Sequence, residues 1–235
     1  NAITLASTAS NGRIIEIPMA GKAPISPKKK AYMMAAFMVG ILIPVVFIYL
    51  KEKLQYQIEN RNDVEKLTNI PILAELPKSN SSPSNKGSIV IHENKNNIME
   101  EAFRTLRTNL LFMLEADKKV ILITSSRPGE GKSFVSGNLA VSLAFLGKKV
   151  IIVGLDIRKS GLDRVFGFKS QLNGITNYLS NPEENKLSDL IISSDISPNL
   201  DILPRGIIPP NPTELIARPT LEKAIDELKK KYDII

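Results

Sequence analysis

An α/β fold behind one membrane-spanning helix is predicted by three features of the sequence. The run Ala31–Leu50 carries no charge. Two short apolar runs rich in β-branched residues, Val120–Thr124 and Val150–Val153, bracket a helical stretch. A glycine-bearing loop, Ser125–Ser133, joins the first of those runs to that helix. Together they imply a parallel sheet with flanking helices. The sheet is expected to be truncated at its C-terminal end, because no cap, turn or polar tail closes the run Tyr232–Ile235.

The uncharged run comes first in the chain. About 20 residues at ~1.5 Å rise span ~30 Å, the thickness of a bilayer's hydrocarbon core. Lys30 and Lys51 bracket it, and Tyr32 and Tyr49 lie near its two ends, where aromatic belts form. Pro44 would break a helix in water but is tolerated in one that spans a membrane. A polar stretch precedes the run and no small-residue cleavage site follows it, which argues against a signal peptide. Residues 31–50 are then expected to be the transmembrane helix. Charge alone leaves its orientation open. The glycine-bearing loop in the C-terminal part, read as an ATP site, needs the cytosol, which makes residues 1–30 the expected extracytoplasmic, membrane-proximal segment.

Residues 51–97 read as a juxtamembrane segment and linker. Lys51–Lys66 suggests a charged helix, Ile70–Pro77 a short strand between prolines, and Ser79–Ser88 a flexible linker by composition. From residue 98 to 235 the pattern is that of one α/β domain. Met99, Phe103, Leu106, Leu110 and Met113 alternate at spacings of four and three, placing one apolar stripe on a helix over Ile98–Leu114. Continuous apolar runs such as Val120–Thr124 and Val150–Val153 suit parallel strands buried on both faces. Phe134–Leu146 supplies the crossover helix, with Gly147 just past its end.

Composition excludes several classes. The chain has 235 residues, a formal charge of +7, no cysteine and one histidine, His92, in a polar stretch. Disulfide frameworks and cysteine metal sites are therefore excluded. The positive charge is dispersed apart from Lys28–Lys30, with no basic stripe carrying aromatics, so nucleic acid is not an expected partner. A membrane surface explains the lysine run more simply.

The loop carries the chemistry. A phosphate is an anion with many acceptor oxygens, and it is best held by converging backbone N–H groups at a helix N-terminus. Pro128, Gly129, Glu130, Gly131, Lys132, Ser133 and Phe134 form that turn. The glycines let the backbone curl around the ligand, Lys132 can reach the β- and γ-phosphates of ATP, and Ser133 can ligate Mg²⁺. Ser126 stands where the usual pattern has its first glycine, so the strict pattern fails by one residue. Asp156, at the C-terminal end of the second strand, faces the ligand crevice of such a sheet. It could hold Mg²⁺ or polarise an attacking hydroxyl, or simply cap a turn.

With these motifs the chain resembles the bacterial tyrosine kinases of capsule and exopolysaccharide export, joined to a polysaccharide co-polymerase membrane domain. Gly12–Lys30 is similar to the segment leading into that family's second transmembrane helix. Glu101, Arg104 and Arg107 match its Glu-x-x-Arg-x-x-Arg assembly motif, Ser125–Ser133 its Walker A and Val150–Arg158 its Walker A′. Pro209–Leu215 resembles its Pro-Pro-Asn-Pro-x-Glu-Leu element. Gly154 departs from the pattern, standing where the family usually has a further aspartate.

The resemblance implies an ATP- and Mg²⁺-dependent tyrosine autokinase at the bacterial inner membrane, its C-terminal domain cytosolic, regulating polysaccharide polymerisation and export. It implies Lys132 and Asp156 as catalytic residues, Ser133 and Asp156 as metal ligands, and Glu101, Arg104 and Arg107 as contacts in a ring-shaped homo-oligomer. Within one chain, Glu101 and Arg104 could equally form an intrahelical pair. The family's Walker B aspartate should follow directly after Ile235, so the chain as given is expected not to phosphorylate itself. Two alternatives remain open: a non-catalytic co-polymerase whose nucleotide site is a switch, and a partitioning-type P-loop ATPase.

Overall fold

The computed structural model describes residues 21, 26–54, 58, 60–78, 88–93, 97–115, 117–159, 161–168 and 173–235. Most of the expected 1–30 segment, and the expected linker apart from Ser88, lie outside these residues. The chain forms two compact units, residues 1–60 and 61–235.

In the first unit α1 runs from Lys29 to Leu54, 26 residues with Pro44 inside and no buried side chain. Its length and composition suffice to cross a membrane. Lys51–Leu54 extend this helix, whereas Asn60 is a bend and the next helix, α2, covers Arg61–Leu67 in the second unit. The single helix expected over Lys51–Lys66 is therefore not what forms. Ile70–Pro77 does not form a strand. Pro71 and Pro77 bring no N–H to a ladder, and the segment instead lays Leu73, Ala74 and Leu76 against the core.

The second unit is built on α3 (Ile98–Met113), α4 (Lys132–Phe145), β1 (Val150–Val153), α5 (Leu162–Phe166), α6 (Ile175–Ser180), β2 (Ile192–Ser193), β3 (Leu200–Leu203), α7 (Pro212–Ile216) and α8 (Pro219–Lys229). Asn97 starts α3 by accepting from the Glu100 amide, while the Glu100 carboxylate accepts from the Asn97 amide, a reciprocal capping box. Of the apolar stripe, Phe103 and Leu106 are buried and Met99 and Leu110 half-buried, but Met113 is exposed.

The sheet has the order β1-β3-β2. β1 and β3 are parallel, with Val150 opposite Leu200 and Val153 opposite Leu203. β2 joins the other edge of β3 antiparallel, so the sheet is mixed where a wholly parallel one was expected. Its two residues arrive from a short connection on the same side, which a parallel crossover would not permit. On the far side of β1, Ile234 bridges Val150 in parallel and accepts from the Ile151 amide at 3.0 Å. Ile235 in turn accepts from Ile121 and donates to Lys119, both at 2.8 Å.

Val120–Thr124 thus lies alongside the sheet without being a strand, contrary to the sequence expectation. Its neighbour Asp233–Ile235 presents too few groups for a ladder. The crossover from this segment through α4 to β1 skips one position, which Ile234 occupies.

Alternation along β1 divides the core between two faces. Val150 and Ile152 meet Phe103, Leu139, Leu143 and Ile202 on the side of α3 and α4. Ile151 meets Ile175, Leu179, Leu215, Ala224 and Leu228 on the other. Fully burying a side chain such as Phe103 contributes about 1.5–3 kcal/mol. Ile89, Val90 and Ile91 join the first layer, so this compact unit begins well upstream of residue 98. Asn138 of α4 is fully buried and holds that strap: its Oδ1 accepts from Val90 at 2.8 Å and Ile91 at 3.3 Å, and its Nδ2 donates to Ser88 O and Phe134 O.

Candidate nucleotide site

The loop between 118–124 and α4 folds as a cradle. Gly129 and Gly131 both sit at φ near +90°, a region that side-chain-bearing residues rarely enter, and no atom lies within 4 Å of where a Cβ would stand at either. Glu130 turns inward to accept from the Arg127 amide at 3.0 Å, closing the loop on itself around Pro128. α4 begins at Lys132 immediately after Gly131, so its first-turn amides have no intrahelical acceptor and remain available for an anion. Phe134 offers the site only its backbone, since its ring packs edge-on against Phe103 at 6.0 Å.

Lys132 leans across the cradle to β1's end. Its Nζ lies 2.7 Å from Asp156 Oδ2, with both side chains about one-third exposed. The Lys159 amide donates to the other oxygen, Oδ1, at 3.0 Å. Burial alone would push the Asp156 carboxyl up. The Lys132 and Lys159 hydrogen bonds and the charges of Lys132 and Arg205 outweigh it and hold the group below its usual value. Ser133 faces Gly161 so closely that a Cβ on Gly161 would overlap the Ser133 hydroxyl. Lys132, Ser133, Asp156, Gly161 and Arg205 all line one cavity of about 680 Å³. Among the described residues no three His, Cys, Asp or Glu side chains cluster as a metal site. A cation here would depend on Ser133, Asp156 and the ligand's own oxygens.

The assembly-motif residues divide. Arg104 pairs with Glu101 at 3.0 Å on the exposed side of α3. Arg107 does not share that face: it is half-buried and donates to Ser142 O at 2.8 Å, in the last turn of α4. Spacing of three would keep all three near one side of a helix, but Arg107 leaves that side. Successive steps of three drift around a helix of 3.6 residues per turn, toward the core face.

Gly161 and Arg205 were missed from sequence. Gly161 lies beyond the Walker A′ stretch with no motif around it. Arg205 follows β3, whose Leu200–Leu203 run is short, interrupted by Asp201, and easily read as loop. Its signal was positional, because the C-terminal ends of parallel strands are where such sheets bind ligands.

Residues 118–235 match the family model described as an AAA domain. The tyrosine-protein kinase CpsD of Streptococcus agalactiae is 39% identical over 136 residues, covering 58% of this chain and 58% of that protein. The tyrosine-protein kinase wzc of Salmonella typhimurium is 28% identical over 99% of this chain and 34% of its own length. The solved BceF tyrosine kinase domain superposes with a TM-score of 0.65 at 31% identity, covering 75% of this chain and 74% of that one. The chain spans about a third of the length of the curated relatives it matches from end to end.

Proposed function

Because this chain belongs to the bacterial tyrosine-kinase family of AAA domains, we propose that in the whole protein it binds Mg-ATP and transfers the γ-phosphoryl group to tyrosine hydroxyls. The observation that carries this reading is the meeting of Lys132 with Asp156 across an open glycine cradle. The first-turn amides of α4 and Lys132 would hold the phosphates, and Ser133 and Asp156 would hold Mg²⁺. Bound Mg²⁺ supplies neutralisation of charge on the phosphate oxygens. In the transfer the tyrosine oxygen forms a bond to the γ-phosphorus as the bond to ADP breaks, and the hydroxyl proton passes to a nearby carboxylate. Asp156 is a candidate for this role only as the alternative to holding Mg²⁺, since a metal-bound carboxylate does not take up the proton. Catalysis of this kind is mostly positioning and charge stabilisation.

A Klebsiella pneumoniae relative named "Putative tyrosine-protein kinase in cps region" supports a role in capsule or exopolysaccharide polymerisation and export. The helix Lys29–Leu54 supports anchorage in the bacterial inner membrane with the nucleotide domain cytosolic. The exposed Glu101–Arg104 pair is the candidate contact in a homo-oligomeric ring.

Incubating the detergent-purified protein with Mg-ATP and probing for phosphotyrosine tests the reading. Labelling that disappears in Lys132→Met is expected. Equal labelling in the variant would overturn the assignment of the cradle. A second reading, a nucleotide-dependent switch without transfer, is favoured by Gly154, which leaves β1's end with one carboxylate where the family usually has two. Nucleotide binding without phosphotyrosine would decide for it. A partitioning-type ATPase is disfavoured by α1, since that class lacks a covalent membrane helix.

A further inference from the structure

Arg205 belongs to no motif, yet the fold holds it at the mouth of the cradle. Its carbonyl accepts from the Thr176 amide at 2.9 Å, at the start of α6, and the carbonyl of Pro204 accepts from Ile175 at 2.9 Å. Gly154 also lies against its backbone. A Cβ on Gly154 would stand 2.9 Å from Arg205 N, so the close approach exists because that residue is glycine. With its backbone held by both contacts, Arg205 lends a half-buried side chain to the lining of the cavity shared with Lys132, Ser133 and Asp156. Its Nη1 lies 3.5 Å from the carbonyl of Ile157, the residue after Asp156, and its Nε 3.3 Å from Gly206 O. These are long contacts, and among the described residues they leave most of the guanidinium's donors uncommitted.

The single ammonium of Lys132 has two demands on it. It pairs with Asp156 at 2.7 Å, and the nucleotide reading requires it to reach a phosphate. Once it turns away, the Asp156 carboxylate faces a polyphosphate of the same sign at short range, with the Lys159 amide as its remaining hydrogen-bond donor. A guanidinium that stays charged at any accessible pH, fixed one residue away, is the group able to counter it.

We propose that Arg205 is a positioning residue for Asp156, keeping the carboxylate countered and in place when Lys132 turns to a nucleotide phosphate. The proposal rests on the cradle being a nucleotide site. It also gives Gly154 a role: the position trades an acidic side chain for the approach of a cation-bearing loop.

Calorimetry of ATP binding in EDTA, which removes metal ligation from the comparison, tests this on the detergent-purified protein. Arg205→Ala should weaken ATP about fivefold, the effect of losing one partly screened charge that acts on Asp156. Arg205→Gln, which keeps hydrogen-bonding capacity without charge, should behave like Ala, and Arg205→Lys should remain within about twofold of wild type. In an Asp156→Asn background Arg205→Ala should have less than about a twofold effect, because the residue acts through that carboxylate. Equal weakening in both backgrounds, or full affinity in Arg205→Gln, would overturn the proposal while leaving the nucleotide site intact. Wild-type protein that binds no better than Lys132→Met would instead remove the nucleotide reading, and this proposal with it.

Discussion

Lys132 Nζ and Asp156 Oδ2 stand 2.7 Å apart, so the ammonium that faces the phosphate cradle is held by the carboxylate at the end of β1. With about a third of each side chain exposed, solvent screens the pair and its contribution to fold stability is small. Its importance lies in competition with ligand. Asp156→Asn should release Lys132 and strengthen ATP binding in EDTA by roughly tenfold, the scale of one charge-assisted hydrogen bond no longer to be broken. The same substitution removes a candidate metal ligand, so adding Mg²⁺ should help the variant less than the wild type. Calorimetry with and without Mg²⁺ reads both effects, and weaker metal-free binding in Asp156→Asn would contradict the latch.

Restoring the acid that the family usually carries at residue 154 should not improve the site. A Cβ there would lie 2.9 Å from Arg205 N and 3.4 Å from Leu162 Cδ1, and the first neighbour is backbone. Gly154→Asp should therefore lower the melting temperature, costing about 1–3 kcal/mol as other overpacked sites do. Mg²⁺-dependent ATP binding should show no gain. A variant as stable as wild type that binds Mg-ATP more tightly would contradict the packing described for Arg205.

Tyr232 gives the fold an alkaline limit. Its ring is buried, its hydroxyl donates to Asp201 Oδ2 at 2.7 Å, and Lys149 lies 5.6 Å from the ring centroid. Burial, then the hydrogen bond and the charge of Asp201, raise the phenol well above its usual 10.0. The unfolded chain therefore loses this proton first, and stability falls as pH rises beyond about 10. Tyr232→Phe should cost roughly 1 kcal/mol at neutral pH through the lost hydrogen bond. Melting curves should show that deficit shrinking above pH ~10, and a constant deficit would refute the burial argument.

What the sequence disclosed follows from where its signals are local. The glycine-bearing loop, the run Val150–Val153 and the uncharged helix are each set by adjacent residues and form where the sequence places them, whereas Val120–Thr124 does not become a strand. That segment's only neighbour along the sheet among the described residues is Asp233–Ile235, more than 100 residues away in the chain, and no local pattern reveals that it is too short to form a ladder. Arg107 parts from Glu101 and Arg104 because spacing fixes an angle on a helix and not the neighbour that waits there, in this case Ser142 of α4. Arg205 and Gly161 act through close approaches between loops, and such approaches exist only in three dimensions.

Asn138 links the strap at 88–91 to the helix that opens at the cradle. Its side chain satisfies the amides of Val90 and Ile91 and donates to two carbonyls, with none of its surface exposed. Asn138→Ala would leave those groups unpaired in the interior, at about 1–3 kcal/mol for each group that water cannot reach. Global melting should drop, and hydrogen exchange at Val90 and Ile91 should accelerate more than at Ile151 in the sheet. Unchanged protection at Val90 and Ile91 would show that the strap is held by its apolar contacts alone.

The three residues of the assembly motif should separate in their effects. Glu101 and Arg104 face solvent from α3, and their mutual pair on an exposed helix surface contributes only ~0.2–0.5 kcal/mol within one protomer. Arg107 instead places a cation on the carbonyl of Ser142 in the last turn of α4, where unsatisfied carbonyls and the helix dipole both favour one. Its guanidinium also approaches Ser142 Oγ at 3.4 Å, which ties α3 to α4 at the end far from the cradle. Arg107→Ala should therefore lower the melting temperature of the protomer, by about 1.5–3 kcal/mol in stability for a hydrogen bond to a charged group. Glu101→Ala with Arg104→Ala should leave melting nearly unchanged and reduce oligomer mass if this face meets another subunit. Light scattering alongside thermal denaturation reads the two properties separately. An unchanged mass in the double variant would confine the Glu101–Arg104 pair to its own helix, and an unchanged melt in Arg107→Ala would deny the tie between α3 and α4.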